Sequence, residues 1–180
     1  MGYFLTLYRL PSHRLEAVVT DDDELVRYDD EFQALEEVEG EMPHQYRSEQ
    51  IGWLDLGKSG VWRPLKYLLD PVKRELGTWE DYGPPGCVTG AAVSGWHQAK
   101  TGFDKPLRYN RSDEVGAIRN ALESFDFEML VRQNKASVVY ECDVFPHLYY
   151  WPMLIERLEH LREFYRIAAD LGQAVLTDQE

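Results

Sequence analysis

Cys87 lies in a glycine- and proline-rich stretch, and His97 and His147 are imidazoles that a thiol nucleophile there would need as a base. Such a pair works only when the thiolate is stabilised and the imidazole stands within hydrogen-bond reach. No local signature accompanies Cys87, and a buried or merely exposed cysteine is the commoner use of that residue. Cys142, Asp143 and His147 are spaced closely enough to suggest metal ligands. A structural zinc site takes four ligands, usually in paired short spacings, and this chain has neither CxxC nor HxxxH. Val144, Phe145, Pro146 and Leu148 favour a structural corner there instead, and the expectation is no metal and no cofactor. Gly83, Pro84, Pro85, Gly86 and Gly90 are not followed by the lysine of a phosphate-binding loop and lack GxGxxG spacing. Loop geometry accounts for them.

Two groupings remain. Asp55, Trp62, Trp96, His97, Arg108 and Tyr109 combine aromatic faces with polar groups in and beside the glycine-rich stretch. They are the residues from which a small cleft would be built, for a hydrolase, a transferase or a ligand sensor. The second grouping is acidic: Asp21, Asp22, Asp23, Asp29, Asp30, Glu36 and Glu37. It has neither the alternating oxygen ligands and central glycine of a calcium loop nor the layout of a paired-acid catalytic site. Most such acids are a solvated helix face, but so one-sided a cluster is also what a decoy surface for a basic protein needs.

The elements that must hold these residues follow from apolar spacing. Residues 3–8 read as a strand, 12–19 as a short helix and 21–39 as a longer one. In the latter, Leu25, Tyr28, Phe32, Leu35 and Val38 form one buried face under an acidic one. Trp53, Leu54, Asp55 and Leu56 read as a turn entry. Ser59 is the expected cap of a helix to residue 69 with Trp62, Leu65, Leu68 and Leu69 inside, and Pro64 fits only an early turn of it. Residues 77–111 look loop-like. Helices are expected over 112–125, with Val115, Ile118, Leu122 and Phe125 aligned, and over 126–133. Residues 137–144 fit either a strand or an irregular segment. A last helix from Pro152 to Gly172 carries Leu154, Leu158, Leu161, Tyr165 and Ala168 inward, and 174–177 closes as a strand. The expectation is one helix-rich α+β domain over 1–180, with a small mixed or antiparallel sheet.

The whole chain bounds the function. Its 180 residues include 7 Phe, 5 Trp and 11 Tyr, so a single core is affordable and a charge-solvated disordered chain is ruled out. Net charge is −13, and residues 1–50 hold 13 acids against four arginines, a local −9. Nucleic acid and anionic membrane are disfavoured as partners, and a basic protein is favoured. The start of the chain lacks a basic signal region, no stretch is built to span a bilayer, and two cysteines suit a reducing compartment. A cytoplasmic protein is expected.

Several stretches carry a resemblance. These are Met1, Gly2 and Tyr3; Leu54, Asp55 and Leu56 followed by Lys58, Trp62, Leu65, Tyr67, Leu68 and Leu69; and Pro106, Leu107, Arg108 and Tyr109 leading into Ser112, Asp113, Glu114 and Val115. Val144, Phe145, Pro146 and Trp151 follow, then Leu161, Arg162, Glu163, Phe164 and Tyr165, and finally Gly172, Gln173, Ala174, Val175 and Leu176. Together they resemble the YfbM-like family of small bacterial proteins of unknown function. The resemblance implies an α+β domain without an established enzyme activity. By analogy with other such families, it implies a non-enzymatic immunity protein that neutralises a cognate toxin domain through its acidic surface.

Overall fold

Alternating burial makes the first element a strand, β1 (Phe4–Pro11), in which Leu5, Leu7 and Arg9 turn to one side of the sheet and Tyr8 to the other. The computed structural model describes residues 4–39, 52–77, 84–100 and 107–179. After β1 come α1 (Ser12–Thr20), α2 (Asp22–Glu39), β2 (Gly52–Lys58), α3 (Ser59–Leu69) and α4 (Pro71–Glu75). Then follow α5 (Ala91–Ser94), β3 (His97–Gln98), β4 (Arg108–Asn110), α6 (Ser112–Glu123), α7 (Phe127–Glu141), α8 (Tyr150–Asp170) and β5 (Gln173–Gln179). The strands pair antiparallel throughout in the order β2-β1-β5-β4-β3, giving the expected α+β class with its sheet resolved as antiparallel.

Helices cover both faces. On one face Leu5, Leu7, Leu54, Leu56 and Val175 pack with α3, α5, α6, α7 and α8 around the fully buried Trp62, Phe164 and Tyr165. On the other, Leu10, Ala174 and Leu176 pack under Leu15, Val18, Val19, Leu25 and Tyr28 of the α1–α2 hairpin. Each fully buried leucine contributes roughly 1.5–3 kcal/mol of transfer free energy, so the larger cluster dominates stability. Local chemistry sets the helix starts. The Asp21 carboxylate accepts the Asp23 N–H at 2.9 Å and opens α2 with further acids in its first turn. Asp126 does the same for α7 through the Met129 N–H at 2.9 Å.

Four expectations are corrected. Trp53 to Leu56 belong to β2 rather than a turn entry, because their burial alternates strictly and they pair with β1. Residues 137–141 continue α7, whose buried face past Val131 is marked by Val138, too sparse a signal for periodicity to detect. Within 77–111 lie α5, β3 and β4, each only two to four residues long. Lys58, not Ser59, precedes the first helical residue of α3, so Pro64 falls beyond the first turn. A proline there cannot donate to the carbonyl four residues back, which is that of Gly60. The Tyr150 hydroxyl donates to that carbonyl instead, at 2.7 Å, and so ties α3 to the start of α8. Phe32, Leu35 and Val38, read as the inner face of α2, have side chains outside the described residues.

The glycine-rich loop is explained by Asp70, a carboxylate only 1% exposed. It accepts the N–H of Gly86 at 2.7 Å and of Lys73 at 3.1 Å, capping α4. A Cβ added at Gly86 would stand 2.9 Å from Asp70 Oδ1, and one at Gly90 2.5 Å from Oδ2, so the loop closes on the carboxylate because it has no side chains there.

Candidate functional site

Strand register lines up Trp53, Tyr8, Leu176, Tyr109 and His97 as one row across all five strands. The row lies on the face that carries the α1–α2 hairpin. Apart from Leu176 its members are only half-buried, so the hairpin leaves an aromatic strip in reach of solvent. The Tyr8 and Tyr28 rings meet edge to face at 6.3 Å, and the Tyr28 hydroxyl donates to the Arg9 carbonyl at 3.3 Å. Burial raises the Tyr28 phenol above its ordinary value, which keeps it neutral. Beside the strip runs a second, polar row of Asp55, Thr6 and Asp178, also half-buried.

The strip ends in a hydrogen-bonded pair. His97 Nε2 lies 2.7 Å from Glu114 Oε1, while Glu114 Oε2 accepts the Arg111 N–H at 2.7 Å at the start of α6. The His97 and Tyr109 rings stand 5.0 Å apart, tilted by 30°. This is a half-buried, hydrogen-bonded imidazole and carboxylate.

Of the six residues read as a cleft, His97 and Tyr109 come together here. Asp55 shares their face but sits on β2, the opposite edge of the sheet from β3, roughly 19 Å away at the usual strand spacing. Its carboxylate accepts the Gly57 N–H at 2.6 Å, where β2 bulges and Gly57 takes a φ of +83°. Trp62 is fully buried in the core on the other face, and Trp96 packs against that same core. Arg108 also turns to the other face. Its Nε donates to the carbonyls of Ser94 at 2.8 Å and Gly95 at 3.1 Å, and its Nη2 to Trp96 at 3.1 Å, which holds the turn into β3. Burial lowers its pKa. Neighbouring strand residues alternate faces, so Arg108 and Tyr109 cannot line one cleft.

The thiol of Cys87 lies 3.3 Å from Thr89 Oγ1, 3.5 Å from the Leu69 carbonyl and 3.7 Å from Asp70 Oδ1, with no imidazole among these contacts. Cys142 is buried, whereas Asp143 and His147 are exposed. Among the described residues no group of three or more His, Cys, Asp or Glu side chains could hold a metal ion.

Of the acidic group, Asp21, Asp22, Asp23 and Asp30 are exposed on the hairpin. The side chains of Asp29, Glu36 and Glu37 lie outside the described residues. Arg14 pairs with Glu31 at 2.7 Å and Arg27 pairs with Glu24, so the hairpin's arginines are engaged by acids other than these.

Sequence reasoning missed a surface at the α7–α8 loop. Tyr140, Phe145, Leu148 and Tyr149 are 83%, 90%, 82% and 72% exposed. Their apolar character points to a core, and the only hint of display was Pro146 among them.

A family model described as a domain of unknown function (DUF1877) matches residues 1–177. No curated protein matches the chain. Among solved structures, the chain is similar to a protein of unknown function, YfbM from Escherichia coli, at 18% identity. The likeness covers 98% of this chain and 99% of that one with a TM-score of 0.62, and it concerns the fold. No helix of the described residues is long and apolar enough to cross a membrane.

Proposed function

The chain belongs to the DUF1877 family, and from that premise we propose that it is a non-enzymatic, cytoplasmic binding protein for a basic protein partner, in the manner of an immunity protein that neutralises a toxin domain. The observation that carries the reading is the exposure of Asp21, Asp22, Asp23 and Asp30 on one helical hairpin packed beside a half-open aromatic strip. Acids of one sign on a rigid element steer an oppositely charged partner from a distance, and neighbouring aromatic rings supply area to bury once it arrives. The test is affinity purification of the tagged protein from its native host at low salt. One stoichiometric basic partner, lost on D21K/D22K/D23K, is the expected result, and a partner that is retained by the reversed variant overturns the surface assignment.

A second reading is favoured by the His97–Glu114 pair beside Tyr109: a hydrolase, a transferase or a ligand-sensing module working on that open strip. A small molecule that co-purifies with the wild-type protein but not with H97A would replace the first reading with this one.

A further inference from the structure

Tyr140, Phe145, Leu148 and Tyr149 are the four most exposed large apolar side chains among the described residues, and all fall between positions 140 and 149. A loop that merely tolerated apolar residues would be slack, but this one is braced from below. Cys142 and Val144 are buried beneath it. The Arg63 guanidinium donates to the Cys142 carbonyl at 3.4 Å, and the Tyr150 N–H donates to the His147 carbonyl at 3.0 Å. The Tyr150 hydroxyl pins the far end to α3 through Gly60. Asp143 takes a left-handed φ of +51° just past α7, where the helical run ends. A groove of about 320 Å³ opens alongside, lined by Gly60, Val61, Val144, Phe145, Tyr150 and Met153 among others. Rigidly presented apolar side chains cost little ordering entropy on contact, which is the arrangement of a docking surface.

Charge decides the occupant. Glu141 and Asp143 stand exposed among the aromatic residues, and neither has an ion pair among the described residues. A second copy would bring a net charge of −13 against itself, and these two carboxylates would repel an anionic lipid surface. We propose that the α7–α8 loop is an apolar anchor for a basic protein segment. That segment places an aliphatic or aromatic side chain against Phe145, Leu148 and Tyr149, and a lysine or arginine against Glu141 and Asp143. This rests on the reading of the chain as a binding protein, and it adds a contact on the face of the sheet opposite the acidic hairpin.

The probe is a random dodecapeptide library displayed on phage, panned on the immobilised wild-type protein with the F145S/L148S/Y149S variant as the subtracting bait. These side chains are exposed, and circular dichroism with thermal melting confirms that each variant keeps the wild-type fold. The expected result is enrichment of peptides that place Lys or Arg beside Leu, Phe or Trp. A synthetic peptide of the leading sequence then binds about tenfold more weakly to the triple variant and several-fold more weakly to E141Q/D143N. Enriched peptides without a cation overturn the proposal, as does no enrichment over the subtracting bait. A wild-type dimer that the triple variant abolishes, or wild-type binding to phosphatidylserine vesicles, overturns it in favour of another occupant. The D21K/D22K/D23K variant runs in parallel. Peptides lost only on that variant overturn the loop but leave the hairpin reading standing, while peptides lost only on the loop variants support the loop and count against the hairpin.

Discussion

At Gly90 one missing carbon decides whether the glycine-rich loop can close. Its Cβ would fall 2.5 Å from the Asp70 carboxylate, which is buried and anchored by two N–H groups, so neither side can give. Gly90→Ala is therefore expected to cost about 2–4 kcal/mol, read as a fall in the urea midpoint. Gly116, in the middle of α6, has nothing within 4 Å of its added Cβ. Gly116→Ala should raise stability by about 0.4–1 kcal/mol, and the pair of opposite signs separates crowding from a general glycine effect. Tyr165 supplies a pH-dependent test. It is fully buried, its hydroxyl donates to the Ala92 carbonyl at 3.1 Å and accepts from Asn110 Nδ2 at 3.0 Å, and burial raises its pKa above 10. A raised value stabilises the fold fully below the unfolded pKa of about 10, and that stability drains away as pH climbs further. Tyr165→Phe should cost about 1–3 kcal/mol at pH 7 and lose less than wild type between pH 9 and 11.5, as followed by urea unfolding at each pH.

Elements are tied together where one of them breaks its own rules. Pro64 frees the Gly60 carbonyl in α3, and Tyr150 at the start of α8 satisfies it. Tyr150→Phe in the wild-type background should cost about 1–2 kcal/mol, whereas in a Pro64→Ala background α3 can bond that carbonyl itself and the cost should shrink. Equal costs in both backgrounds would break the proposed link. Elements also show how far sequence carries. The helices α3, α6 and α8 were legible because three- to four-residue apolar spacing marks their inner faces, as in Trp62, Leu65, Leu68 and Leu69. The end of α7 was not, since only Val138 marks its inner side there. The strands β3 and β4 are too short to show alternation, and they acquire their pairing from the Arg108 clamp on residues 94–96, a contact between residues that local pattern does not connect. The cleft residues were individually plausible. What sequence could not show was which side of the sheet each would take, and that divides Arg108 and Trp62 from His97 and Tyr109. Apolar residues carry no mark of display, so the α7–α8 loop stayed invisible for the same reason that core leucines are easy to find.

For the molecule as a whole, the sequence concentrates acidic charge, −9 in residues 1–50 against −4 elsewhere, and the exposed Asp21, Asp22, Asp23 and Asp30 set up a local negative field on the α1–α2 hairpin. If that field guides a basic partner, its association rate should fall by at least tenfold between about 50 and 500 mM salt, while dissociation changes little; stopped-flow mixing reads both. The sheet order has a further consequence, which concerns synthesis. Two of its three inner strands, β1 and β5, are joined along seven residue pairs from Leu5 with Gln179 to Pro11 with Gln173. Arg9 and Gln173, bonded side chain to side chain at 2.6 Å, are 164 residues apart. A ribosome adding 5–20 residues per second leaves β1 waiting roughly 8–33 seconds for its central neighbour. During that interval the growing chain holds an open apolar strand with β2 as its one available mate. Chains stalled behind C-terminal linkers of increasing length should stay protease-sensitive until β5 clears the exit tunnel, and then turn resistant within a few added linker residues.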